Sequence, residues 1–171
     1  MAEKKLIPVA ETLTLLAETP PRLADMTAGR SASQLRTRPA PDDWSAVEIL
    51  AHLRACADVW GDCIATILAE DHPTIRAINP RAWITRTDYP ELDFALSLDA
   101  FARQRSALLA TLQPLTVAEW ERTATIRGAG SPLQRTVHFY AQWLARHERS
   151  HLKLLPRMLE SLPDQPYSAV H

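Results

Sequence analysis

The chain has 171 residues, of which 46% are hydrophobic and 23% are charged, a composition typical of a soluble globular domain. Its 19 basic and 20 acidic residues give a formal net charge of −1, so the charge does not point to nucleic acid. No apolar run reaches the roughly 18 residues of a membrane span, and no signal peptide is evident. We therefore expect one cytoplasmic domain over residues 1–171, with a core from about 13 to 160.

The first part of the chain predicts two long helices. Thirteen prolines against four glycines favour helices separated by proline-containing loops over strands and tight turns. Apolar residues at helical spacing cover 6–26, and the Pro20–Pro21 pair predicts a kink or a restart within this helix. A second helix is expected over 45–70, since Ser45 and Glu48 have the spacing of a capping box.

The apolar face of the second helix contains a histidine. Its stripe follows spacings of three and four residues. The stripe consists of Ile49, His52, Cys56, Val59, Cys63 and Ile67. Cys56 lies one turn beyond His52 and is a candidate metal ligand, although we favour a small buried hydrophobic residue there. Cys56 and Cys63 are too far apart along one helix for a disulfide, so both thiols are expected to be free.

The middle of the chain predicts a long irregular connection, residues 72–96, followed by a third helix over 97–112. Trp83 and Tyr89 in the connection are candidates to line a pocket. Arg105 is a charged residue on the otherwise apolar stripe of the third helix. It would either pair with a buried acid or meet an anionic ligand, and pairing is the more common arrangement.

The last helix places two histidines in its apolar stripe. A turn at 127–130 precedes it, and we expect it over 133–159, with Ser131–Pro132 at its start. His147 and His151 are four residues apart and therefore lie on one helix face. The stripe expected to face the core consists of Val137, Tyr140, Leu144, His147, His151, Leu154 and Met158. Burying two imidazoles without partners is costly, so a metal ion is the leading candidate partner.

Four principal helices with one apolar stripe each predict an all-α four-helix bundle. Metal sites in bundles use side chains that face inward from neighbouring helices, and His52, His147 and His151 fit that arrangement. Three imidazoles leave coordination positions open to water or substrate, as catalytic zinc sites do, but they suit several metals. The alternative is that each histidine is hydrogen-bonded in the core or partly exposed, which three such positions together disfavour.

The segment HERSH also matches the H-E-x-x-H signature of zinc proteases, in which Glu148 would be the general base. We disfavour a protease because the motif is short, no third ligand follows it, and no sheet edge is predicted to hold a peptide. Apart from the protease hypothesis, Glu148 would either lie near the metal or be a solvated or salt-bridged residue on the flank of the helix, and these two interpretations are balanced. Glu48 is a candidate hydrogen-bond partner for the His52 imidazole, although its capping role already explains it.

Two segments resemble signatures of the DinB-like (DinB/YfiT) superfamily. Residues 44–53, WSAVEILAHL, are similar to W-S-x-x-E-x-L-x-H-L in the second helix of these domains. Residues 147–152, HERSHL, are similar to H-[DE]-x-x-H-L in their last helix. The resemblance implies a DinB-like four-helix bundle with a divalent-metal site formed by His52, His147 and His151, with zinc or nickel as the metal.

The resemblance further implies a homodimer with a small-molecule substrate, and it does not imply DNA binding. Better-understood relatives include metal-dependent transferases that activate a low-molecular-weight thiol such as bacillithiol or mycothiol. We therefore expect a metal-dependent enzyme, a thiol transferase or a hydrolase, without nucleic-acid or membrane partners. The alternative is a non-catalytic module in which the metal stabilises the bundle and the pocket binds a ligand without turnover.

Overall fold

The structure, a computed structural model, describes residues 6–128 and 130–162, so both ends of the expected domain lie outside the described residues. It confirms the predicted all-α four-helix bundle, to which it adds a small sheet. The elements in chain order are α1 (Val9–Thr27), α2 (Ala32–Arg36), α3 (Ala46–Ala69), β1 (Thr74–Arg76), α4 (Pro80–Ile84), α5 (Phe94–Leu112), α6 (Val117–Trp120), β2 (Thr123–Arg127), β3 (Leu133–Thr136) and α7 (Val137–Glu160).

The bundle consists of the four long helices α1, α3, α5 and α7. Helix α7 packs against α1 and α3, and α5 packs against the same two helices, so α1 and α3 occupy opposite corners. Each long helix therefore contributes one face to a shared interior. Within the part of the chain that the structure describes, no helix is both long enough and apolar enough to cross a membrane.

Helix α3 begins at the capping box that its sequence predicts. The Ser45 hydroxyl accepts from the Glu48 backbone N–H at 3.2 Å, and the Glu48 carboxylate accepts from the Ser45 N–H at 2.8 Å. The same carboxylate pairs with Arg38, whose hydrogen bond holds the pKa of Glu48 below its usual value. Glu48 is thus engaged by the cap and by Arg38. The predicted inner stripe of this helix is buried throughout.

Helix α1 continues without a restart through the Pro20–Pro21 pair. Proline has no backbone N–H, so Pro20 leaves the carbonyl of Leu16, four residues earlier, without its helical donor. Leu16 is fully buried, and its carbonyl oxygen instead accepts a hydrogen bond from Arg105 Nη1 at 3.1 Å. The interruption in α1 therefore provides an acceptor for a cation on α5.

Two helix starts differ from their predicted positions because side-chain caps lie elsewhere. Helix α5 begins at Phe94 instead of residue 97, since the Asp93 carboxylate accepts from the N–H of Ala95 at 2.9 Å. Helix α7 begins at Val137 instead of residue 133. Its cap is the Thr136 hydroxyl, which accepts from the Phe139 N–H at 2.9 Å.

A three-stranded sheet, absent from the sequence prediction, closes one end of the bundle. Strand β2 pairs in parallel with β1 and antiparallel with β3. Strand β1 lies inside the long connection predicted as irregular, and β3 occupies residues assigned to the last helix. Gly128 and Gly130 have φ of +91° and +93° in the predicted turn, and Ala129 lies outside the described residues. Strands of three to five residues are too short to show a clear alternating pattern.

The buried face of α7 also differs from the predicted stripe. Leu154 was expected in the core but is 63% exposed, whereas Glu148 is fully buried. The two histidines are half-buried at the edge of this face. The face that packs inward consists of Val137, Tyr140, Ala141, Leu144, Ala145, Glu148, Leu152, Leu155 and Leu159. The predicted stripe, which contains His147 and His151, and the observed one, which contains Glu148, both have helical spacing. Spacing alone therefore did not distinguish them.

The interior has two apolar clusters with a polar layer between them. One cluster, at the sheet end, includes Leu112 and Leu144, and the other includes Phe101 and Leu152. The polar layer consists of Arg105, which lies between Phe101 and Leu112 on α5, and Glu148, which lies between Leu144 and Leu152 on α7. It also contains His52 of α3. The bundle therefore concentrates its buried polar groups at one level along its axis.

Candidate metal centre

Three imidazoles converge at the polar layer. His52 comes from the buried face of α3 and is 5% exposed, while His147 and His151 come from consecutive turns of α7. His52 Nε2 lies 2.8 Å from His147 Nε2, and His151 Nε2 lies 3.2 Å from the same atom. Each histidine offers one ring nitrogen to a group whose atoms all lie within 4.8 Å of one another. The structure thus brings together all three residues singled out from the sequence.

The spacing of these nitrogens fits one bound ion. Metal–imidazole bonds are about 2.0–2.1 Å long, so two nitrogens on adjacent positions of one metal lie about 2.9–3.4 Å apart. The distances of 2.8 and 3.2 Å are close to that range. A hydrogen bond between two imidazoles would also explain one of these short distances. It would not explain why a third ring nitrogen lies at the same point. His52, His147 and His151 are therefore suited to hold a divalent ion.

Two tryptophans, neither identified as part of the site from sequence, enclose the imidazoles. The Trp44 ring lies parallel to His151, with centroids 6.1 Å apart, and meets His52 edge-on at 5.0 Å. Trp60 meets His147 edge-on at 5.3 Å. Trp44 precedes the cap of α3, and Trp60 lies two turns after His52. These rings limit the rotation of the imidazoles and exclude water from part of the site.

The site keeps its imidazoles neutral. Burial, reinforced by the neighbouring histidines and by Arg81, lowers the pKa of His52 to about 4. Burial, His147 and Arg81 lower the pKa of His151 to about 4 as well. Burial also lowers the pKa of His147, although the Glu148 carboxylate opposes that shift. Neutral imidazole is the form that binds metal, so the site is ready for an ion at neutral pH.

Acidification is expected to destabilise the metal-free protein between about pH 6.5 and pH 4. The unfolded chain takes up protons on its histidines below about pH 6.5, whereas folded His52 and His151 do so only near pH 4. Proton binding therefore favours the unfolded state as the pH falls, and stability rises towards pH 7. Urea unfolding of chelator-treated protein at pH 7.0, 6.0 and 5.0 measures this slope.

The control for the acid effect is His151→Gln, which removes one of the two most shifted groups and should flatten the slope. Glu48 and Glu119, two carboxylates whose pKa values are lowered in the folded state, add to acid destabilisation mainly below their usual pKa of 4.5, and they therefore contribute little to a change above pH 5. A midpoint that stays constant from pH 7 to pH 5 would contradict the prediction.

A buried ion pair lies directly behind the histidines. Arg105 of α5 is 2% exposed, and its guanidinium meets the fully buried Glu148 carboxylate with both Nη atoms, one of them at 2.8 Å. Of the two roles considered for Arg105, the structure thus shows the pairing. Glu148 is neither solvated nor a free base, because its carboxylate is neutralised by Arg105.

Among the described residues, His72, His138 and Cys56 lie outside the group of three. His138 Nε2 bonds to the Ile7 carbonyl at 2.8 Å, on another side of α7, and His72 bonds to Thr123. Cys56 Sγ is 3.6 Å from His52 Nε2. Burial, with a contribution from Glu148, raises the pKa of the Cys56 thiol to about 12. The thiol is therefore protonated at neutral pH in the metal-free site.

Two cavities lie near the site. One of about 750 Å³ opens beside His147 and is lined by aromatic and polar side chains that include Phe139, Trp143 and Gln142. The other, of about 530 Å³, lies between α3 and α5, and its described lining contains none of the three histidines. Trp83 and Tyr89 line this second cavity and both donate to the Asp58 carboxylate. The expected pocket role of these two residues is thus confirmed, away from the imidazoles.

A four-helix bundle in which three histidines from two helices converge is typical of metal-binding bundle proteins. The family model of the DinB superfamily matches residues 15–155 of this chain. The chain therefore belongs to the DinB superfamily, as the two sequence segments predicted.

A solved structure supports the same fold. The chain is similar to YfiT from Bacillus subtilis, with a TM-score of 0.70 and 21% sequence identity, over 94% of this chain and 93% of that one. YfiT is described as "a probable metal-dependent hydrolase with an unusual four-helix bundle topology". At this identity the likeness shows the fold alone. None of the curated proteins matches the chain.

Proposed function

We propose that this protein is a metal-dependent enzyme that transfers a low-molecular-weight thiol to a small electrophilic substrate. His52, His147 and His151 would hold one divalent ion, zinc or nickel. The observation that carries the proposal is the convergence of three neutral imidazoles beside a cavity of about 750 Å³. Bound there, the ion would act as a Lewis acid and lower the pKa of a thiol or water.

The surroundings of the histidines support an open site. A three-nitrogen set leaves at least one coordination position for a substrate, which a four-ligand structural site does not. The cavity includes His147 in its lining, so a small molecule can approach that imidazole directly. Its aromatic side chains, Phe139 and Trp143, suit an apolar part of the substrate.

The test is thiol conjugation by the metal-loaded protein. Purified chain containing one equivalent of zinc or nickel is mixed with 1-chloro-2,4-dinitrobenzene and a panel of low-molecular-weight thiols. We expect a metal-dependent rate that falls about 10²–10³-fold after chelation, the size of effect seen when one preorganised electrostatic group is lost. A rate unchanged by chelation would rule out the proposed chemistry.

Hydrolysis is the second candidate, because the structurally similar YfiT is described as a probable metal-dependent hydrolase. The same open position would then take water in place of a thiol. Ester and amide substrates tested beside the thiol panel separate the two. Turnover of an ester without added thiol favours the hydrolase, and turnover that requires a thiol favours the transferase.

A non-catalytic, metal-stabilised bundle is favoured by one contact, the 3.6 Å separation of Cys56 Sγ from His52 Nε2. A thiolate at this position would give the ion a fourth protein ligand and close the site. Cobalt-loaded protein distinguishes the two, since cysteine ligation produces an intense sulfur-to-cobalt absorption band. Cys56→Ser should leave the spectrum and the metal content unchanged if the site is open.

The proposed function also includes an oligomeric state and a class of partner. We propose a homodimer that acts on a small molecule without nucleic acid or membrane partners, in agreement with the net charge of −1. Several large apolar side chains are exposed at the surface and are candidates for a subunit interface. They are Leu96, Val117 and Leu154. Light scattering on the purified protein measures the subunit number directly.

A further inference from the structure

We propose that Arg81 binds a carboxylate of the ligand that occupies the metal centre, so that the thiol or its acceptor is an anion. The inference rests on the proposed function, since it names the chemical class of molecule that the three-histidine site takes. It concerns a residue that lies in the connection between α3 and α5 and that the sequence patterns did not single out.

Arg81 is placed next to the imidazoles by an aromatic ring. Its guanidinium carbon lies 5.1 Å from the centroid of Trp44, within the range of a cation–π contact. The same Trp44 ring packs on His52 and His151. The guanidinium is therefore separated from the site by no more than one ring. Its charge also contributes to the lowered pKa of all three histidines.

The short helix that contains Arg81 is held firmly on the bundle. The Asn79 side chain accepts from the Arg81 backbone N–H at 2.9 Å, and Pro80 occupies the first turn. Trp83 Nε1 donates to Asp58 on α3 at 3.0 Å. Helix α4 is thus fixed to the helix that provides His52. A fixed position is what a residue needs to orient a ligand.

The Arg81 guanidinium is available to a ligand. Its side chain is exposed, and it forms no ion pair with any acid in residues 6–128 or 130–162. Arg38, Arg103 and Arg105 each pair with a carboxylate in the same structure. Besides its contact with the Trp44 ring, the guanidinium donates no hydrogen bond within these ranges, so its N–H groups can bind a carboxylate with two hydrogen bonds.

The charge balance of the site also favours an anion. Three neutral imidazoles leave the full charge of a divalent ion uncompensated. The carboxylate next to His147 in the chain, Glu148, is neutralised by Arg105. With Arg81 beside it, the loaded site is strongly positive, so an anionic ligand is attracted and a cationic one is repelled.

The test compares two thiols that differ in charge. The full chain is loaded with cobalt and titrated with 3-mercaptopropionate or with its neutral analogue, 3-mercaptopropionamide, and the sulfur-to-cobalt absorption is recorded. We expect the carboxylate to bind about 10-fold more tightly or better, as for a charge-assisted hydrogen bond. In Arg81→Gln this preference should fall to about 2-fold or less, with the affinity for the amide unchanged, and Arg81→Lys should keep part of it.

The matched control is Arg86→Gln, which removes a second exposed arginine of the same connection, stacked at 5.9 Å over Trp83. It should keep the preference of the unmodified protein. The proposal is overturned if Arg81→Gln keeps the preference or weakens both thiols equally, or if the unmodified protein distinguishes neither thiols nor acceptors by their carboxylate. Failure to bind cobalt would overturn the proposed function itself, and it is recognised before any thiol is added.

If a thiol with a carboxylate supports conjugation but its amide does not, the anion lies on the thiol. If conjugation instead requires a carboxylate on the acceptor and not on the thiol, the anion lies on the acceptor.

Discussion

Glu148→Ala is expected to lower the free energy of unfolding by about 3–5 kcal/mol, because it leaves the Arg105 cation buried without its counterion. Both side chains are excluded from solvent, and the Arg105 guanidinium would keep the Leu16 carbonyl as its hydrogen-bond acceptor among the described residues. A domain of ordinary stability, about 5–15 kcal/mol, would lose a large share of it. Urea denaturation followed by circular dichroism, on the metal-free protein, measures the change.

Two further variants test the cause of that loss. The exposed Arg103–Asp99 pair lies on the same helix as Arg105, with side chains 69% and 64% exposed, so Asp99→Ala should cost less than about 1 kcal/mol. Replacing both buried partners, with Arg105→Met and Glu148→Leu, should restore much of the stability, since no charge remains unpaired. A cost below about 1 kcal/mol for Glu148→Ala would show that the pair is not buried as described.

His147→Ala is expected to abolish stoichiometric metal binding. His147 Nε2 is within 3.2 Å of both other ring nitrogens, so it is the shared member of the group. Loss of groups that merely orient ligands lowers affinity about 10–100-fold, and loss of a ligand should exceed that. Zinc at about 100 times its dissociation constant should raise the stability of the unmodified protein by about 2.7 kcal/mol and leave the variant unchanged. Elemental analysis and thermal unfolding with zinc or chelator measure both effects.

The control is His138→Ala on the same helix. His138 bonds to the Ile7 carbonyl and is edge-on to Trp120, so its loss should not alter the metal content. The same zinc response in both variants would argue against the proposed ligand set. Equal metal content with different activity would instead assign His147 a role other than ligation.

Much of the fold and the histidine group could be predicted because they depend on local spacing. The capping box at Ser45 and the four-residue separation of His147 and His151 are visible in a short window. The bundle followed from the lengths and apolar stripes of four helices. His52 was identifiable because an imidazole in an otherwise apolar stripe requires a partner.

The rest depends on contacts between distant parts of the chain. Trp44, Trp60 and Arg81 surround the histidines only after α3, α4 and α7 pack, and their local spacing marks none of them as site residues. Glu148 looked like a flank residue because two stripes on α7 satisfy the same period. The one that packs inward is decided by a partner, Arg105, 43 residues away.

The proline pair in α1 has a consequence for how the bundle tolerates substitution. Pro20 removes one hydrogen bond from α1, and the oxygen thus released is tied to α5 through Arg105. A chain with Pro20 but without Arg105 would leave that buried oxygen without a donor, while one with alanine at position 20 would offer it a second donor. The two positions are therefore energetically coupled across 85 residues of sequence. The hydrogen bond that Pro20 removes from α1 is thus replaced by one that joins α1 to α5.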